Sequence, residues 1–460
     1  MSISFDPRNL LATMVGEEHG LTAAEIEDNQ PTALAALASF RQLWQQGLYG
    51  FPDLPANQKL IREIDAMARK FAGSYDTVCV VGIGGSALGC WALDCALRGP
   101  HPVQGQHSAK HPRVVILDNV DPDFIEHALD SMSPKKTLVV VIAKSGSTAE
   151  TMSSFLVVRQ WLLDALGKKA AARIIAITSE GRGDLKVLAS RESYTTFHIP
   201  ENVGGRFSVL SAVGLVPAAL AGINIKKLCR GAAAMTEACW SDDLDTNIAL
   251  SAALHHWLIW TRKHKSIQVA FPYSNFLWGA AFWFRQLWAE SLGKARDRSG
   301  ATVHVGQTPV AALGTTDQHS QVQLYMEGPN DKVFSFWTVN KPSHTVKIPK
   351  ARLGLDGFDY LGGQTMSKLL DAERRATEAA LASSSRPNCT FTLDRVDEEH
   401  LGAFLQMMEF ETAFLGELLN INAFDQEGVE LGKKFTYALM GRAGWDEFKE
   451  RFDDYEKKRA

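Results

Sequence analysis

Apolar runs alternate with helical patterns from residue 76 to about residue 199. Runs rich in Val and Ile predict strands at residues 77–81, 113–117, 137–142, 173–178 and 194–199. Between them, apolar residues recur at helical spacing in residues 87–97, 123–132, 148–166 and 184–190. Continuous apolar strands separated by helices are typical of a parallel, doubly wound sheet that helices cover on both faces.

A second and shorter α/β pattern follows a helical stretch from Arg206 to about Lys263. It predicts a helix at 277–292 and strands at 266–271, 302–305, 321–326, 333–339, 345–348 and 389–393. The predicted fold class is therefore α/β, with two doubly wound, mainly parallel-sheet subdomains and with flanking and C-terminal helices. We divide the chain into an N-terminal helical segment (1–75), a larger first subdomain (76–225), linking helices (226–265), a smaller second subdomain (266–395) and C-terminal helices (396–460).

Composition and charge narrow the class of protein. The 460 residues carry a net charge of −4 and no dominant basic cluster, which argues against nucleic acid or an anionic membrane as a partner. Two uncharged runs, 207–225 and 266–284, contain Pro, Ser and Asn and fit core elements better than membrane spans. We expect no signal peptide. The 6 cysteines include no Cys-x-x-Cys pair, which favours reduced thiols in a cytoplasmic protein.

The apolar run at 138–142 ends abruptly in Ala143-Lys-Ser-Gly-Ser-Thr148, and a helical pattern then begins. A strand, a hydroxyl-rich turn and a helix N-terminus together bind anions, because free backbone N–H groups and the positive end of the helix dipole converge there. Ser145, Ser147 and Thr148 would add hydroxyl donors, and Lys144 would add a charge. The alternative is an ordinary helix N-cap without a ligand.

The segment Gly82-Ile-Gly-Gly-Ser-Ala87 fits the dinucleotide fingerprint G-x-G-x-x-G/A, after a strand and before a helix. A dinucleotide site also requires an acidic residue about 20 residues further on. Asp118 ends the second strand but lies farther along, beyond an irregular loop at 100–112. Two such loops at the carboxyl ends of parallel strands share one edge of the sheet, so a small phosphorylated ligand fits better than NAD(P).

Two segments bring charged groups into unusual surroundings. Arg206 follows two glycines at the start of a predicted helix, where the glycines let backbone approach a ligand. Gln286, Glu290 and Lys294 form one polar stripe on a helix that is otherwise rich in aromatic residues. A carboxylate in such surroundings is a candidate general base. Taken alone, the first segment is better explained as a turn with a solvated arginine, and the second as a solvent-exposed helix face.

Two further segments have weaker signals. His319 lies in a loop before a predicted strand, and a lone loop histidine is usually structural or solvated. Gln426, Glu430 and Lys433 or Lys434 share one face at the start of the C-terminal helix, where a charged surface helix is the plain interpretation.

Histidine spacing indicates no metal site. His101, His107 and His111 do not have metal-ligand spacing on a regular element. His255 and His256 are most simply placed on a helix surface. We expect no metal and no other cofactor.

Five segments together resemble the glucose-6-phosphate isomerase (phosphoglucose isomerase) family. They are residues 82–86 (GIGGS), 144–148 (KSGST), 204–208 (GGRFS), 286–291 (QLWAES) and 424–433 (FDQEGVELGK), in the family's order. The resemblance implies two sugar-isomerase-type domains. It also implies reversible aldose–ketose isomerisation of glucose 6-phosphate and fructose 6-phosphate, as in glycolysis and gluconeogenesis. The implied route is ring opening followed by base-catalysed proton transfer through a cis-enediolate, without metal or cofactor.

The resemblance also implies a role for each candidate residue. Glu290 matches the general base, Arg206 would stabilise the enediolate, and His319 and Lys433 match the groups that assist ring opening. Family members are commonly homodimers, so His319 is expected to complete the partner subunit's site. The residues implied in binding the sugar phosphate are Gly85, Ser86, Lys144, Ser145, Gly146, Ser147, Thr148, Gln286 and Gln426.

Two other classes share this domain type. A sugar-phosphate-sensing regulator would not need Glu290, Arg206, His319 and Lys433 together, and would usually carry a basic helix-turn-helix that the sequence lacks. An amide-transferring sugar-phosphate synthase requires an N-terminal cysteine, and position 2 is Ser. Selectivity among hexose 6-phosphates, including mannose 6-phosphate, stays open.

Overall fold

The computed structural model describes residues 3–100, 112–181, 183–350 and 353–459. The strands are β1 (Ile3–Asp6), β2 (Thr77–Val81), β3 (Arg113–Leu117), β4 (Thr137–Ile142), β5 (Ile174–Ser179), β6 (Thr195–Ile199), β7 (Ile267–Pro272), β8 (Lys294–Arg296), β9 (Thr302–Val305), β10 (Thr308–Ala311), β11 (Lys332–Val339) and β12 (Asn388–Leu393). The helices are α1 (Ala12–Val15), α2 (Ala23–Gln45), α3 (Gln58–Phe71), α4 (Leu88–Arg98), α5 (Pro122–Asp130), α6 (Ala149–Leu166), α7 (Asp184–Arg191), α8 (Ala212–Leu220), α9 (Ile225–Cys239), α10 (Ile248–Lys263), α11 (Trp278–Leu292), α12 (Val322–Glu327), α13 (Asp356–Asp359), α14 (Met366–Ser383), α15 (Glu398–Leu418), α16 (Glu430–Leu439) and α17 (Asp446–Arg459).

The first sheet has five parallel strands in the order β3-β2-β4-β5-β6. Alternate residues of its strands face two different apolar clusters. Val78 and Val80 of β2 lie in the larger cluster, and Cys79 and Val81 lie in a second cluster beneath α6 and α7. Burial on both faces is the usual environment of a parallel sheet. All five strands predicted for this part of the chain are present.

The second sheet has the order β1-β12-β11-β7-β10. Its β12, β11, β7 and β10 are parallel, and β1 adds antiparallel to β12 at one edge. Ala270 and Trp337 face the larger apolar cluster, whereas Val269 and Phe336 face a third one. The two sheets therefore share one core. The predicted fold class is confirmed, and the five-part division of the chain stays a prediction.

The shared core is organised around α15, a helix of 21 residues. The Asp397 side chain caps its start by accepting a hydrogen bond from the His400 N–H at 3.0 Å. Every residue from Leu401 to Glu417 is buried, so the helix has no solvent face. It packs against α2, α9, α10 and α11, and α11 carries the candidate base Glu290. A helix surrounded on all sides is a rigid support for its neighbours.

Two predicted strands are wrong. The predicted strand at 321–326 overlaps helix α12 (Val322–Glu327), in which Tyr325 is the one buried residue. The ring centroids of Tyr325 and Phe334 lie 4.9 Å apart. Leu324 next to it is 55% exposed. Residues 345–348 form no strand, and Val346 there is 59% exposed. A β-favouring sequence makes a strand only where a neighbouring strand and a buried face are available.

Other elements differ from the sequence pattern in instructive ways. The β10 strand contains Pro309, which obscured its pattern and which an edge strand tolerates. The predicted strand at 302–305 pairs with β8 in a separate antiparallel ribbon.

His255 and His256 are buried rather than at a helix surface, 7% and 1% exposed. The predicted histidine-rich loop, with His101, His107 and His111, lies outside the described residues.

Two buried carboxylates on α15 have opposite environments. Glu411 Oε1 lies 2.7 Å from His256 Nδ1, and the Cys389 sulfur lies 3.5 Å from His256 Nε2. Burial opposes charge on this imidazole, but Cys389 and Glu411 outweigh burial and raise the pKa of His256 to about 10. The side chain of Glu409 has no hydrogen-bond partner among the described residues, and burial raises its pKa well above the ordinary value.

Glu409→Met is expected to raise the free energy of unfolding, and to raise it more at pH 8 than at pH 5. In the unfolded chain the carboxyl of Glu409 ionises above about pH 4.5, whereas in the folded protein it stays neutral. The native carboxyl therefore costs up to about 1.4 kcal/mol per pH unit above the unfolded pKa, until the folded pKa is reached. Urea unfolding at the two pH values measures the difference.

Glu411→Met is the matched control on the same helix. It leaves the His256 imidazolium buried without its carboxylate, so it is expected to cost about 3–5 kcal/mol. A Glu409→Met protein that is destabilised at both pH values would show that Glu409 has a partner after all.

Candidate active site

The two glycine- and hydroxyl-rich loops meet where the strand order of the first sheet reverses. The β2 strand lies between β3 and β4, so the chain turns to opposite sides of the sheet after these neighbouring strands. Ligands of open α/β sheets bind at this position, outside the carboxyl ends of the strands. Residues 82–86 follow β2 and residues 143–148 follow β4. The prediction that both loops lie on one edge of the sheet is confirmed.

The loop after β4 is shaped for an anion. Gly146 has φ +65°, and a Cβ there would lie 2.6 Å from the Leu185 backbone nitrogen, so only glycine fits without strain. Ser147 Oγ donates to Ser145 Oγ at 3.1 Å. Thr148 is the N-cap of the 18-residue helix α6, but its hydroxyl makes no capping hydrogen bond. Hydroxyls and a helix N-terminus therefore point to the same place, as an anion site requires.

Lys144 contributes differently from what the sequence suggested. Its ammonium donates to the carbonyl oxygens of Glu201 at 2.7 Å and Val203 at 3.0 Å. These carbonyls lie just before the Gly204-Gly205-Arg206 turn. Lys144 thus ties the phosphate-loop candidate to the segment that carries the arginine. Its contact with a phosphate stays a prediction.

Arg206 is 2% exposed, and its guanidinium has protein partners on every side. Its Nε donates to Ser291 Oγ at 2.8 Å, and its Nη1 donates to Glu290 Oε2 at 3.2 Å and Gln426 Oε1 at 2.9 Å. Its Nη2 donates to the carbonyl oxygens of Ala423 and Asp425, at 2.6 and 2.9 Å. Burial lowers the pKa of Arg206, and Glu290 and Asp425 oppose that shift. The guanidinium is fixed in position before any substrate arrives.

Glu290 stands at the exposed end of this arrangement. Its side chain is 34% exposed, so one side faces the arginine and another is open to a ligand. One helical turn earlier, Gln286 Nε2 lies 3.4 Å from Glu290 Oε1. The polar stripe on α11 is therefore not a solvent face, because Glu290 contacts both Arg206 and Gln286 and the Lys294 side chain is 9% exposed.

The first glycine loop packs directly against the arginine turn. A Cβ at Gly85 would lie 2.2 Å from the carbonyl group of Gly205 and 2.7 Å from the Arg206 nitrogen, so a side chain is excluded. A Cβ at Gly84 would lie 2.9 Å from the Gln286 amide nitrogen. The loop that carries Ser86 thus lies between Arg206 and Gln286, at the edge of the same site.

The C-terminal segment closes two sides of the site. Gln426 reaches Arg206, as described above. The Tyr437 hydroxyl of α16 lies 3.4 Å from the carbonyl oxygen of Ser147, so α16 rests on the candidate phosphate loop. Lys433 on α16 forms an ion pair with Glu430 at 2.7 Å and remains half-exposed. Within the described residues, no hydrogen bond or ion pair joins Lys433 to Glu290.

His319 is not brought to the site within one chain. It is exposed, and it ends a short 3-10 helix at Thr316–His319 that follows β10. In the described part of the chain, no hydrogen bond or ion pair links it to Arg206 or Glu290. A role at this chain's own site is thus unsupported by its position.

Sequence reasoning missed Ser291 and the backbone of residues 423–425. Ser291 is fully buried and follows the candidate base directly, so an unexplained serine at the end of an aromatic helix was the available signal. The carbonyls of Ala423 and Asp425 could not be predicted, because every residue has a backbone carbonyl and the sequence does not show which of them will bind a side chain.

Ala143→Ser is expected to leave KM for a sugar phosphate unchanged or to lower it. Ala143 is 3% exposed and packs in the second apolar cluster, and Ser at this position would add one hydroxyl to the loop. A hydroxyl would be stabilised there only if it found a partner in the loop or the ligand. Steady-state kinetics measures the effect, and a clear rise in KM would mean that this loop binds phosphate differently.

The described residues contain no helix long and apolar enough to span a membrane. Among them, no group of three or more His, Cys, Asp or Glu side chains is placed to hold a metal ion. All 6 cysteines are free and buried, as predicted for reduced thiols.

The structure thus combines doubly wound sheets, a hydroxyl-rich loop at the switch point and an adjacent carboxylate–guanidinium pair. The sequence profile of the phosphoglucose isomerase family matches residues 58–456. The chain belongs to the phosphoglucose isomerase family. The predicted family is therefore confirmed, and the interconversion of glucose 6-phosphate and fructose 6-phosphate is the activity that this family implies.

Named relatives span nearly the whole chain. The glucose-6-phosphate isomerase of Carboxydothermus hydrogenoformans is 42% identical, over 97% of this chain and 96% of its own. That of Rubrobacter xylanophilus is also 42% identical, over 96% of this chain and 99% of its own. The crystal structure of a hypothetical protein from Thermus thermophilus has a TM-score of 0.85 and 36% identity, covering 96% of this chain and 100% of that one. Full-length similarity to isomerases does not support the regulator, synthase or dehydrogenase alternatives.

Proposed function

We propose that this protein interconverts glucose 6-phosphate and fructose 6-phosphate with Glu290 as the general base. The observation that carries the proposal is the Glu290 carboxylate, partly open to solvent and 3.2 Å from the buried Arg206 guanidinium. A base beside a fixed positive charge is what an aldose–ketose isomerisation needs, since it removes a carbon-bound proton and must stabilise the resulting oxyanion.

The proton transfer uses one base in both directions. Glu290 removes the proton on C2 of the open-chain aldose, and the released electron pair forms the C1–C2 double bond of a cis-enediolate. The negative charge then lies on the C1 oxygen, where the Arg206 guanidinium stabilises it. The C2 hydroxyl proton passes to the C1 oxygen, Glu290 returns the abstracted proton to C1, and the electron pair left on the C2 oxygen forms the carbonyl of the ketose. No atom is gained or lost.

The phosphate of the substrate binds to Ser145, Ser147, Thr148 and the N-terminus of α6, with Lys144 and Gly146 shaping the loop. Gly85, Ser86, Gln286 and Gln426 line the space between this loop and Glu290. Binding energy from a phosphate that does not react orients the carbons that do.

Ring opening requires an acid–base pair at the ring oxygen, for which His319 and Lys433 are the candidates. Lys433 lies on α16, the helix that rests on the phosphate loop. His319 is exposed, so a second copy of the chain would supply it in a homodimer. Exposed apolar side chains elsewhere on the surface are available for a partner; they include Val346, Leu353, Leu355, Phe358 and Tyr360, from 52% to 70% exposed.

The direct test is turnover by the purified protein. Fructose 6-phosphate with a metal chelator and no nucleotide is expected to yield glucose 6-phosphate, detected by chromatography. Fructose without the phosphate is the control, and it should react far more slowly because nothing occupies the anion loop. Absence of product from fructose 6-phosphate would reject the proposal.

Subunit mixing tests the assignment of His319. Glu290→Gln and His319→Ala proteins should each be inactive, but a mixed dimer would contain one site with both native residues. After unfolding and refolding a one-to-one mixture, about a quarter of the wild-type activity is expected if subunits pair at random. No recovery of activity would mean that His319 serves its own chain, and a fully active His319→Ala protein would mean that it has no role.

We place the protein in the cytoplasm, where the substrate is produced. The free, buried cysteines support that location.

A further inference from the structure

Lys294 begins β8, two residues after the end of α11, whose final turn carries Glu290. The last carbonyl groups of a helix have no partner within the helix, and they form the negative end of its dipole. The Lys294 ammonium donates to the carbonyl oxygen of Glu290 itself at 2.6 Å. A lysine at this place satisfies that carbonyl and keeps the last turn from fraying.

The same ammonium binds the C-terminal segment. It donates to the carbonyl oxygen of Asp425 at 2.9 Å and lies 3.3 Å from the Asp425 carboxylate. A lysine ammonium has three N–H donors, and two hydrogen bonds and one ion pair surround it here. The Lys294 side chain is 9% exposed, so water competes little for these hydrogen bonds.

The backbone carbonyl oxygen of Asp425 links Lys294 to Arg206. The Asp425 oxygen that accepts from Lys294 also accepts from Arg206 Nη2 at 2.9 Å. Lys294 and Arg206 therefore hold a common anchor, and each also contacts Glu290: Lys294 at the backbone and Arg206 at the carboxylate. The distance between the base and the guanidinium depends on this shared anchor.

We propose that Lys294 is a positioning residue for the isomerase reaction, holding the Glu290 carboxylate and the Arg206 guanidinium in register through Asp425. Its ammonium is held inside the protein by the carbonyl oxygens of Glu290 and Asp425, so we assign it to positioning these groups rather than to contact with the substrate. The inference rests on the proposed role of Glu290. Burial and Arg206 lower the pKa of Lys294, while Asp425 and Glu290 oppose that shift, so the charged groups around it are those of the site itself.

Lys294→Met keeps the length and burial of the side chain and removes all three donors. A displacement of the base of about 1 Å costs on the order of 100-fold in rate, so kcat is expected to fall roughly 10- to 100-fold. KM should change by less than about threefold, because the phosphate loop is elsewhere. Lys294→Gln retains amide donors and should recover part of the lost kcat.

Lys332→Met is the matched control. Lys332 is also buried, and its ammonium also binds one carbonyl oxygen, that of Pro329 at 3.2 Å, and one carboxylate, that of Asp331. Its loss should reduce the free energy of unfolding without changing kcat. If Lys294 had only a structural role, Lys294→Met would likewise lower the free energy of unfolding and leave kcat unchanged.

Asp425→Asn supplies a second variant, because the half-exposed Asp425 side chain tolerates substitution more easily than Lys294. It keeps the shared carbonyl and removes the ion pair, so a smaller fall in kcat is expected. If Lys294→Met does not fold, the Lys294→Gln and Asp425→Asn proteins test the inference in its place. A wild-type kcat in both of them would overturn it. An inactive wild type, or a fully active Glu290→Gln protein, would instead overturn the proposed function.

Discussion

Glu290→Gln is expected to lower kcat for fructose 6-phosphate by roughly 10²- to 10⁴-fold, the range that a general base supplies. The amide keeps the shape of the side chain but cannot take a proton from carbon. Arg206 keeps its hydrogen bonds to Ser291, Gln426 and the 423–425 backbone, so the site should stay assembled. The dissociation constant for fructose 6-phosphate, measured by calorimetry on the variant, is expected to match the wild-type KM closely.

Glu327→Gln is the control for this substitution. Glu327 is exposed at the end of α12, away from the site, and its loss of charge should leave kcat unchanged. Full turnover by Glu290→Gln would mean that another group is the base. A large loss of affinity would mean that Glu290 holds the substrate rather than reacting with it.

Arg206→Lys is expected to damage both rate and stability. A lysine offers three donors to the five acceptors that Arg206 binds, so at least two lose the donor that Arg206 supplies. The Asp425 carbonyl oxygen keeps Lys294 as a second donor. Unsatisfied buried groups of this kind predict a loss of about 2–5 kcal/mol in the free energy of unfolding. Losing a fixed charge beside the enediolate predicts a further fall in kcat of about 10²- to 10³-fold. Urea unfolding and steady-state kinetics measure the two effects separately.

Arg298→Lys separates stability from catalysis. Arg298 binds the buried Glu417 carboxylate through both of its terminal nitrogens, so lysine loses a two-pronged contact there as well. The free energy of unfolding should fall, but kcat should not, because no hydrogen bond or ion pair joins Arg298 to Glu290 in the residues that the structure describes. Equal losses of kcat in both variants would show that Arg206 acts only through stability.

The first sheet could be predicted because each of its strands is a continuous apolar run buried on both faces. The second was harder, since its edge strands depend on their neighbours: β10 contains Pro309, and β1 is a short segment that pairs with β12 from the far end of the chain. The helix at 322–327 followed from the packing of Tyr325, which no local pattern reveals. Long-range pairing and tertiary contacts decided these elements.

The candidate site, too, could be predicted only in part, because some of its contacts depend on tertiary structure. Residue types alone identified Arg206, Glu290 and the loop at 144–148 as candidates, because guanidinium, carboxylate and hydroxyl groups have characteristic chemical roles. The sequence could not show that Lys144 would bind the carbonyls before the arginine turn, nor that Asp425 would offer its backbone oxygen to two cations. Such contacts depend on where the backbone passes, and that is known only once the chain is folded.

The apolar cluster that both sheets share has a consequence for how the protein comes apart. Val80 of the first sheet and Trp337 of the second lie in it together with the α15 residues Phe404 and Phe410. Neither half of the chain could be removed without exposing the inner surface of the other to water. We therefore expect a single cooperative melting transition, and proteolytic fragments that contain one sheet should aggregate rather than survive.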